Sequence, residues 1–329
     1  MKKNKSLIEE AKTIFAENGK NSYETAKEAM LKEKVEYGPL REAITYFMEE
    51  IWKNYEHPAL LSLTCEAVGE KPKNLTTIGA ALVLLTGAAD IHDDIIDRSK
   101  RKASKPTLFG KYGTDIALLV GDALLVKGLT LLSQATQDFP EKQRNEIVTT
   151  VKDAFFEIGN AEAEETSYRG KWDADAEKLL SIMEKKAGIA AATAKLGAFI
   201  GGGSTEQVKA LSEYGRTLAV LANVRNEFVD VYEPDELRHR TRNECLPLPL
   251  LYAMCNPKNK IASLLKKKRL TSSDALKVAH AMMKTEEVIN LKNQMKSLVR
   301  KSSKMLEVVR NEKTKKQLLQ LLNAMVEGL

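Results

Sequence analysis

Residues 74–97 read NLTTIGAALVLLTGAADIHDDIID, and this stretch decides the fold class. From Leu75 to Ala89 nearly every side of a helix is apolar, which is typical of a helix at the centre of a bundle. The uncharged run of about 15 residues is too short to span a bilayer. We therefore expect a buried core helix whose carboxyl end carries a cluster of aspartates.

The rest of the chain shows the same helical periodicity. Apolar residues recur at spacings of three and four residues, and only 18 Gly and 9 Pro interrupt the 329 residues. No segment alternates with a period of two for long enough to predict a strand. We predict an all-α fold in one domain over residues 1–329. The predicted helices cover 5–18, 23–34, 39–55, 74–97, 115–136, 141–166, 173–200, 206–233, 271–309 and 313–327.

Composition and charge narrow the class further. Apolar residues make up 43% and charged residues 29%, which excludes a disordered chain. The net charge of +6 is mild and no nucleic-acid-binding module is recognisable, so we expect no nucleic-acid partner. A basic balance suits phosphate-bearing substrates or peripheral contact with an anionic membrane surface. The cysteines lack metal-ligand spacing and the N-terminus lacks an apolar run, so we expect a cytoplasmic protein without signal peptide or transmembrane segment.

The aspartates that end the opening stretch predict a metal site. Asp93 and Asp97 share one face of the helix and Asp94 flanks them, so like charges are stacked. Carboxylates in this arrangement suit Mg²⁺. The alternative interpretation is a solvated acidic helix end, but acid at a helix carboxyl terminus opposes the helix dipole. Because Arg101 and Lys102 follow at once, metal and basic side chains together predict a diphosphate-binding site.

Seven segments, in their order along the chain, resemble the trans-isoprenyl diphosphate synthase (polyprenyl synthetase) family. They read HPALLSLTCEAVG (57–69), DDIID (93–97), KPTLFGKYG (105–113), ALLVGDALL (117–125), EKKAGIAAATAKLGA (184–198), NVRNEFVD (223–230) and LPLPLLYA (246–253). The resemblance covers residues from about 40 to 255. It implies an all-α isoprenoid-synthase helical bundle around a central apolar cavity.

The resemblance also implies a chemistry. Members of this family bind an allylic prenyl diphosphate through three Mg²⁺ ions on two facing aspartate-rich helices, and loss of diphosphate leaves an allylic cation. The implied metal ligands are Asp93, Asp94 and Asp97 on the first helix and, in altered form, Asn226, Glu227 and Asp230 on the second. The implied diphosphate ligands are Arg101, Lys102 and Lys185, and the implied catalytic residues are Asp93, Asp94, Asp97 and Lys185.

One subsite departs from the family. The family's main cationic contacts to isopentenyl diphosphate fall here on Asn54, His57, Thr86 and Ala103. A diphosphate loses most of its binding without charge-assisted contacts. We therefore predict a Mg²⁺-dependent enzyme that ionises an allylic prenyl diphosphate without isopentenyl diphosphate, either terpene synthase-like or transferring to an unusual acceptor. Two alternatives stay open, a conventional chain-elongating polyprenyl diphosphate synthase and a catalytically weak regulatory subunit of such a synthase.

Two further expectations concern substrate length and assembly. In this family the allylic tail runs beside the helix that ends in the first aspartate motif. Ala88 and Ala89 leave that path open towards Leu85, so we expect a tail of about 20 carbons. The competing interpretation is that Asp90, or a ring such as Phe155 or Phe156, closes the pocket. Family members usually pair through long helices, and the apolar segment 115–132 suits such a seam, so we expect a homodimer.

Overall fold

The computed structural model describes residues 6–102, 105–255, 261–267 and 270–329. These residues are almost entirely helical, and the predicted all-α fold class is confirmed. The α-helices, in chain order, are α1 (Leu7–Leu31), α2 (Gly38–Tyr46), α3 (Glu56–Val68), α4 (Leu75–Ile96), α5 (Leu108–Thr136), α6 (Glu141–Thr166), α7 (Ala176–Lys186), α8 (Gly188–Ile200), α9 (Thr205–Asp230), α10 (Pro234–Asn243), α11 (Leu248–Met254), α12 (Ile261–Leu265), α13 (Ser272–Met282), α14 (Glu286–Met305) and α15 (Glu312–Met325). A π-helical turn (Phe47–Ile51) follows α2, and a 3₁₀ turn (Leu306–Val308) follows α14.

Helix α4 is central in the bundle, as its sequence predicts. It packs along α5 and also contacts α1 and α3. Glycines of α5 allow this close approach, since a Cβ at Gly121 would lie 2.5 Å from His92 Nε2 and one at Gly128 would lie 2.8 Å from Leu85 Cγ. The His92 ring therefore lies against α5, with its Nε2 3.4 Å from Asp122 Oδ1.

Two hydrophobic clusters make up the core. One surrounds α4 and α5, and the other packs α9 against α11 and α13–α15. Helix α3 joins them, because Leu60 and Leu63 belong to one cluster while Leu61 and Cys65 belong to the other. That the chain forms one domain over its whole length stays a prediction.

Some helix boundaries differ from the prediction. The segments 5–18 and 23–34 form one helix, α1, because Gly19 is a packing site and not a break. A Cβ at residue 19 would lie 2.2 Å from the Tyr55 carbonyl oxygen, so only glycine permits this contact. The segment 173–200, predicted as one helix, divides into α7 and α8.

A short β-hairpin follows α4. Strands β1 (Arg101–Lys102) and β2 (Lys105–Pro106) are antiparallel, with Arg101 opposite Pro106 and Lys102 opposite Lys105. The sequence does not predict these strands, because two residues per strand carry no alternating pattern. The hairpin folds back so that Lys102 reaches the last turns of α4.

Two helices are long and apolar enough to cross a membrane by length and composition alone, α4 and α5. The uncharged run in the sequence is shorter than helix α4, which has 22 residues. In α4, 72% of the most apolar window is buried inside the bundle, as in a core helix. In α5 only 39% is buried. Its exposed large apolar residues are Leu118, Leu119, Val126 and Leu129.

Candidate active site

The first aspartate motif lies at the carboxyl end of α4. Asp94 is buried, and Asp93 Oδ1 is buried and accepts no hydrogen bond from the described residues. Burial raises the pKa of Asp93, and it raises the pKa of Asp94 to about 7. Burial, and then the charge of Asp93, raise the pKa of Asp97 to about 7 as well. These carboxylates are therefore short of compensating positive charge.

Lys102 supplies part of that charge. Its Nζ lies 2.8 Å from Asp90 Oδ1 and 3.0 Å from Asp94 Oδ1. Burial alone would lower the pKa of Lys102, but Asp90 and Asp94 together raise it. Arg101, the other predicted diphosphate ligand of the hairpin, is exposed. The structure thus places Lys102 against the first motif.

At the end of α7 the structure places Lys186 where the sequence predicts Lys185. Lys185 Nζ pairs with Glu164 at 2.6 Å, and its side chain is 39% exposed. Lys186 Nζ lies 2.8 Å from Glu162 and also pairs with Glu165. Its charge opposes the rise in the pKa of the first motif's leading aspartate. The family resemblance gives the residue type, but adjacent residues of a helix point about 100° apart, and the packing of α7 decides which lysine faces the carboxylates.

Helix α6 adds carboxylates that the sequence analysis missed. Glu162 and Glu165 are three residues apart on one helix face, and both pair with Lys186. Burial, and then the charge of Asp93, raise the pKa of Glu162 to about 8. The available signal was the run AEAEE at 161–165, an acidic stretch late in a long helix. The acidic cluster is therefore built from α4 and α6 together.

Asp97 borders a small polar cavity. Arg169 Nη2 lies 3.4 Å from Asp97 Oδ1 and donates to the Ile96 carbonyl oxygen at 2.7 Å. His239 Nε2 lies 3.1 Å from the Asp97 carbonyl oxygen. The cavity, of about 10 Å³, is lined by Asp97, Glu162, Glu165, Thr166, Arg169, Glu244 and Cys245. These mostly charged walls suit a small ion, whereas a prenyl tail needs apolar walls.

The second motif is paired within the protein. On α9, Asn226 is exposed and Glu227 is buried. Arg240 of α10 donates through Nη2 to both Glu227 oxygens, at 2.8 and 2.9 Å, and through Nη1 to Asp230 Oδ2 at 3.2 Å. Burial raises the pKa of Asp230 to about 7, although Arg240 acts against this rise. A guanidinium therefore pairs with Glu227 and Asp230 in this structure, and metal binding by Asn226, Glu227 and Asp230 stays a prediction.

Asn54, His57, Thr86 and Thr193 form what we call the neutral cluster, two helical turns before the first motif. Asn54 Nδ2 lies 3.5 Å from Thr86 Oγ1, and the His57 amide donates to Asn54 Oδ1 at 3.1 Å. Thr193 Oγ1 lies 3.4 Å from His57 Nδ1. Burial lowers the pKa of His57 to about 4, so its ring is neutral near pH 7. Ala103, the remaining departure from the family, lies outside the described residues.

The predicted tail-pocket residues lie on the buried side of α4. Leu85 and Ala88 are each 1% exposed, and Ala89 is partly exposed. Beside them, a Cβ at Gly87 would lie 3.3 Å from Phe47 and 3.2 Å from Trp52, whose rings are stacked with centroids 5.1 Å apart. Of the two rings that could close the pocket, Phe156 is exposed, whereas Phe155 is partly buried against the hydrophobic cluster around α4. A pocket beside Ala89 stays a prediction.

Fold and site together define a class of protein, the all-α prenyl synthases with an acidic, lysine-bearing cleft at the end of a central helix. Residues 39–283 match the profile of the polyprenyl synthetase family, and the chain belongs to that family. The geranylgeranyl diphosphate synthase of Methanosarcina mazei is 27% identical over 82% of this chain and 84% of its own length. The short chain isoprenyl diphosphate synthase of Methanothermobacter thermautotrophicus is 29% identical, and the match spans about half (54%) of each chain.

A solved structure shows the same fold. The geranylgeranyl pyrophosphate synthetase of Pyrococcus horikoshii superposes with a TM-score of 0.81 over 96% of this chain and 98% of its own, at 20% identity. The family, the fold and the prediction of a prenyl-diphosphate-using enzyme are confirmed at the level of the family. The curated relatives are named isoprenyl and geranylgeranyl diphosphate synthases, so they support the alternative of a conventional polyprenyl diphosphate synthase better than the terpene synthase-like prediction. The individual site residues stay predictions.

Proposed function

We propose that the chain is a Mg²⁺-dependent prenyltransferase that ionises an allylic prenyl diphosphate and lengthens it with isopentenyl diphosphate. The observation that carries this proposal is the first motif. Asp93, Asp94 and Asp97 are buried or half-buried at the end of α4, with Lys102 and Lys186 beside them. The names of the two archaeal relatives support elongation as the reaction.

The first motif fits a divalent metal. Asp93 Oδ1 is buried and accepts no hydrogen bond within the described part of the chain, and a hard cation is the partner that such an oxygen lacks. Asp94 and Asp97, whose pKa values burial raises, would complete the ligand set. Bound Mg²⁺ would stabilise the negative charge that develops on the leaving diphosphate.

The lysines act on the same leaving group. Lys102 and Lys186 are held by carboxylates at the mouth of the motif, so their ammonium groups are oriented before substrate arrives. Each donates charge-assisted hydrogen bonds to diphosphate oxygens, which strengthen as charge moves onto the leaving group. The apolar side of α4 then faces the allylic cation and excludes the water that would quench it.

A second candidate function rests on the neutral cluster. Its described members Asn54, His57 and Thr86 carry no positive charge near pH 7, although an acceptor diphosphate needs cationic partners. On this candidate the enzyme ionises the allylic diphosphate and passes the prenyl cation to a different acceptor, or to none.

One experiment separates these functions. Purified protein is incubated with Mg²⁺ and geranyl, farnesyl or geranylgeranyl diphosphate, with and without isopentenyl diphosphate, and diphosphate release and extracted products are measured. Longer prenyl diphosphates formed only with isopentenyl diphosphate support elongation. Diphosphate release without it supports the second candidate. Turnover only after a homologous synthase is added would instead indicate the regulatory subunit.

The proposal includes an allylic tail of about 20 carbons. Ala89 is partly exposed one turn before the first motif, so a larger side chain there enters the path of the tail without overpacking the core. We expect Ala89→Phe to shift the preference, measured as relative kcat/KM, towards farnesyl or geranyl diphosphate. An unchanged chain-length preference would show that the end of the pocket lies elsewhere.

The proposal also covers assembly and location. We expect a homodimer formed through α5, supported by the exposed Leu118, Leu119, Val126 and Leu129 on one helix. A monomer mass in light scattering at micromolar concentration would contradict it.

Cytoplasmic location is supported by three cysteines without a disulfide. Peripheral contact with an anionic membrane, supported by the net charge of +6, is tested by sedimentation with anionic vesicles.

A further inference from the structure

One buried arginine pairs with both carboxylates of the second motif. The Arg240 guanidinium donates to both oxygens of Glu227 and to Asp230 Oδ2. Its Nε lies 3.2 Å from Glu244 Oε2 and donates to the Cys245 carbonyl oxygen at 2.8 Å. Every nitrogen of the guanidinium is therefore engaged by an acceptor, and Arg240 is only 8% exposed.

Glu227 accepts a further hydrogen bond. Besides the two contacts from Arg240, its Oε2 accepts a hydrogen bond from the Leu248 amide at 2.7 Å, and the residue is 7% exposed. These bonds occupy all but one of about four lone-pair sites of the carboxylate. A divalent cation needs open carboxylate lone pairs and usually keeps several of its waters. Glu227, buried and largely paired, therefore does not fit the metal that the first motif fits.

The local sequence explains why an arginine reaches this position. Helix α9 ends at Asp230, and a short connection leads into α10, so Arg240 returns beside the last turn of α9. Residue 227 is Glu, whose extra methylene relative to Asp extends its carboxylate towards α10. Glu244 holds the guanidinium Nε, and its other oxygen lies 2.9 Å from His239 Nε2.

The first motif shows the opposite condition. Asp93 Oδ1 is buried, yet none of the described residues donates a hydrogen bond to it. A bidentate guanidinium satisfies a carboxylate internally, whereas an orphaned buried oxygen calls for a ligand from outside. The two motifs therefore differ in what neutralises them.

We propose that Arg240 is a built-in cation of the second motif, and that the first motif alone holds divalent metal. The inference rests on the proposed function, because it concerns the same site. Arg240 is then a positioning residue that fixes the last turn of α9 against residues 244–248 before substrate binds. The number of ions implied by the family resemblance, three shared between two motifs, becomes a smaller number held by Asp93, Asp94 and Asp97.

The test counts bound metal. The full chain is dialysed to equilibrium against Mn²⁺ and inorganic pyrophosphate, and the excess metal in the protein chamber gives ions per chain. Asp230→Asn removes charge from the second motif, and Asp93→Asn removes a ligand from the first. Arg240→Met opens the second motif. Arg238→Met is the matched control, since this neighbour on α10 pairs with the exposed Asp235.

We expect Asp230→Asn and Arg238→Met to bind as many ions as the wild type, Asp93→Asn at least one fewer, and Arg240→Met one more. A lower count in Asp230→Asn would overturn the proposal, and so would an unchanged count in folded Arg240→Met. If Arg240→Met shows no cooperative thermal unfolding by circular dichroism, the count in Asp230→Asn decides alone.

The metal count is independent of prenyl transfer. A chain that shows the expected counts but converts no prenyl diphosphate refutes the proposed function and leaves the role of Arg240 intact. A chain that elongates prenyl diphosphates but loses an ion in Asp230→Asn refutes the role of Arg240 and leaves the function intact.

Discussion

Helix α4 carries two polar sites of opposite character. One is the charged cluster, which we define as Asp93, Glu162, Glu165, Lys102 and Lys186; the other is the neutral cluster near the middle of the same helix. In the charged cluster a buried carboxylate oxygen lacks a donor. In the neutral cluster, Thr86 Oγ1 donates to the Leu82 carbonyl oxygen at 2.9 Å and lies 3.5 Å from Asn54 Nδ2.

This difference separates a site that awaits a ligand from one that is complete without it. Buried polar atoms in folded proteins are nearly always hydrogen-bonded, so an exception needs an explanation. The metal and diphosphate that we propose for the charged cluster would explain its exception. The neutral cluster needs no such explanation, because Asn54, His57 and Thr86 contact one another or the backbone. Proximity to a catalytic motif therefore does not by itself make a subsite for a charged ligand.

Removing the orphaned carboxylate should have the largest effect. We expect Asp93→Asn to lower kcat/KM for the allylic diphosphate by about 10²- to 10³-fold, the range for one lost contact to developing charge. Diphosphate release is the measurement. Asp153→Asn, which changes an exposed aspartate of α6, is the control and should be unaffected. Full activity of the wild type in excess chelator would contradict a metal role for the charged cluster.

The next largest effect should distinguish two adjacent lysines. Lys186 faces the carboxylates of the charged cluster, whereas Lys185 pairs with Glu164 outside it. A charge-assisted hydrogen bond contributes about 1.5–3 kcal/mol, so we expect Lys186→Met to lower kcat/KM by about 10- to 100-fold. Lys185→Met, the matched control, should change it by less than about threefold. A larger loss at Lys185 would reverse the assignment made from the structure.

These lysines show what the sequence can and cannot predict. The all-α class, the central α4 and the acidic end of that helix follow from periodicity and residue type, which are local properties. Which of two adjacent helical residues faces a site depends on tertiary packing, which is not local. The resemblance therefore selects Lys185, while packing directs Lys186 towards the carboxylates. The predicted helix break at Gly19 is wrong for a similar reason, because Gly19 packs against the carbonyl oxygen of Tyr55, which is distant in the sequence.

The second motif shows the same limit. Its departure from the family, Asn-Glu in place of Asp-Asp, is visible at Asn226 and Glu227. The consequence is not visible, because the partner of Glu227 is Arg240, thirteen residues away on another helix. A substitution in a motif thus indicates that a site has changed, but only the fold shows what has replaced the lost ligand.

The smallest effect concerns the neutral cluster and appears in stability. The pKa of His57 is lowered by burial to about 4, whereas an unfolded histidine titrates near 6.5. Below pH 6.5 the unfolded chain therefore takes up a proton that the folded chain refuses. The stability linked to a neutral His57 is complete above pH 6.5 and is lost as the pH falls towards 4.

The matched variant is His57→Gln, which keeps a polar side chain but does not titrate. Because His57 retains some exposed surface, we expect about 1–2 kcal/mol of the wild type's change in unfolding free energy between pH 7 and pH 5 to be absent from this variant. Urea unfolding at both pH values is the measurement. Raised carboxylate pKa values act oppositely in both proteins and cancel in the difference, and His280→Gln, at an exposed histidine, should behave as the wild type. An equal pH response in His57→Gln and wild type would mean that His57 accepts a proton in the folded state, and the neutral cluster would then be a cationic site able to hold the second diphosphate.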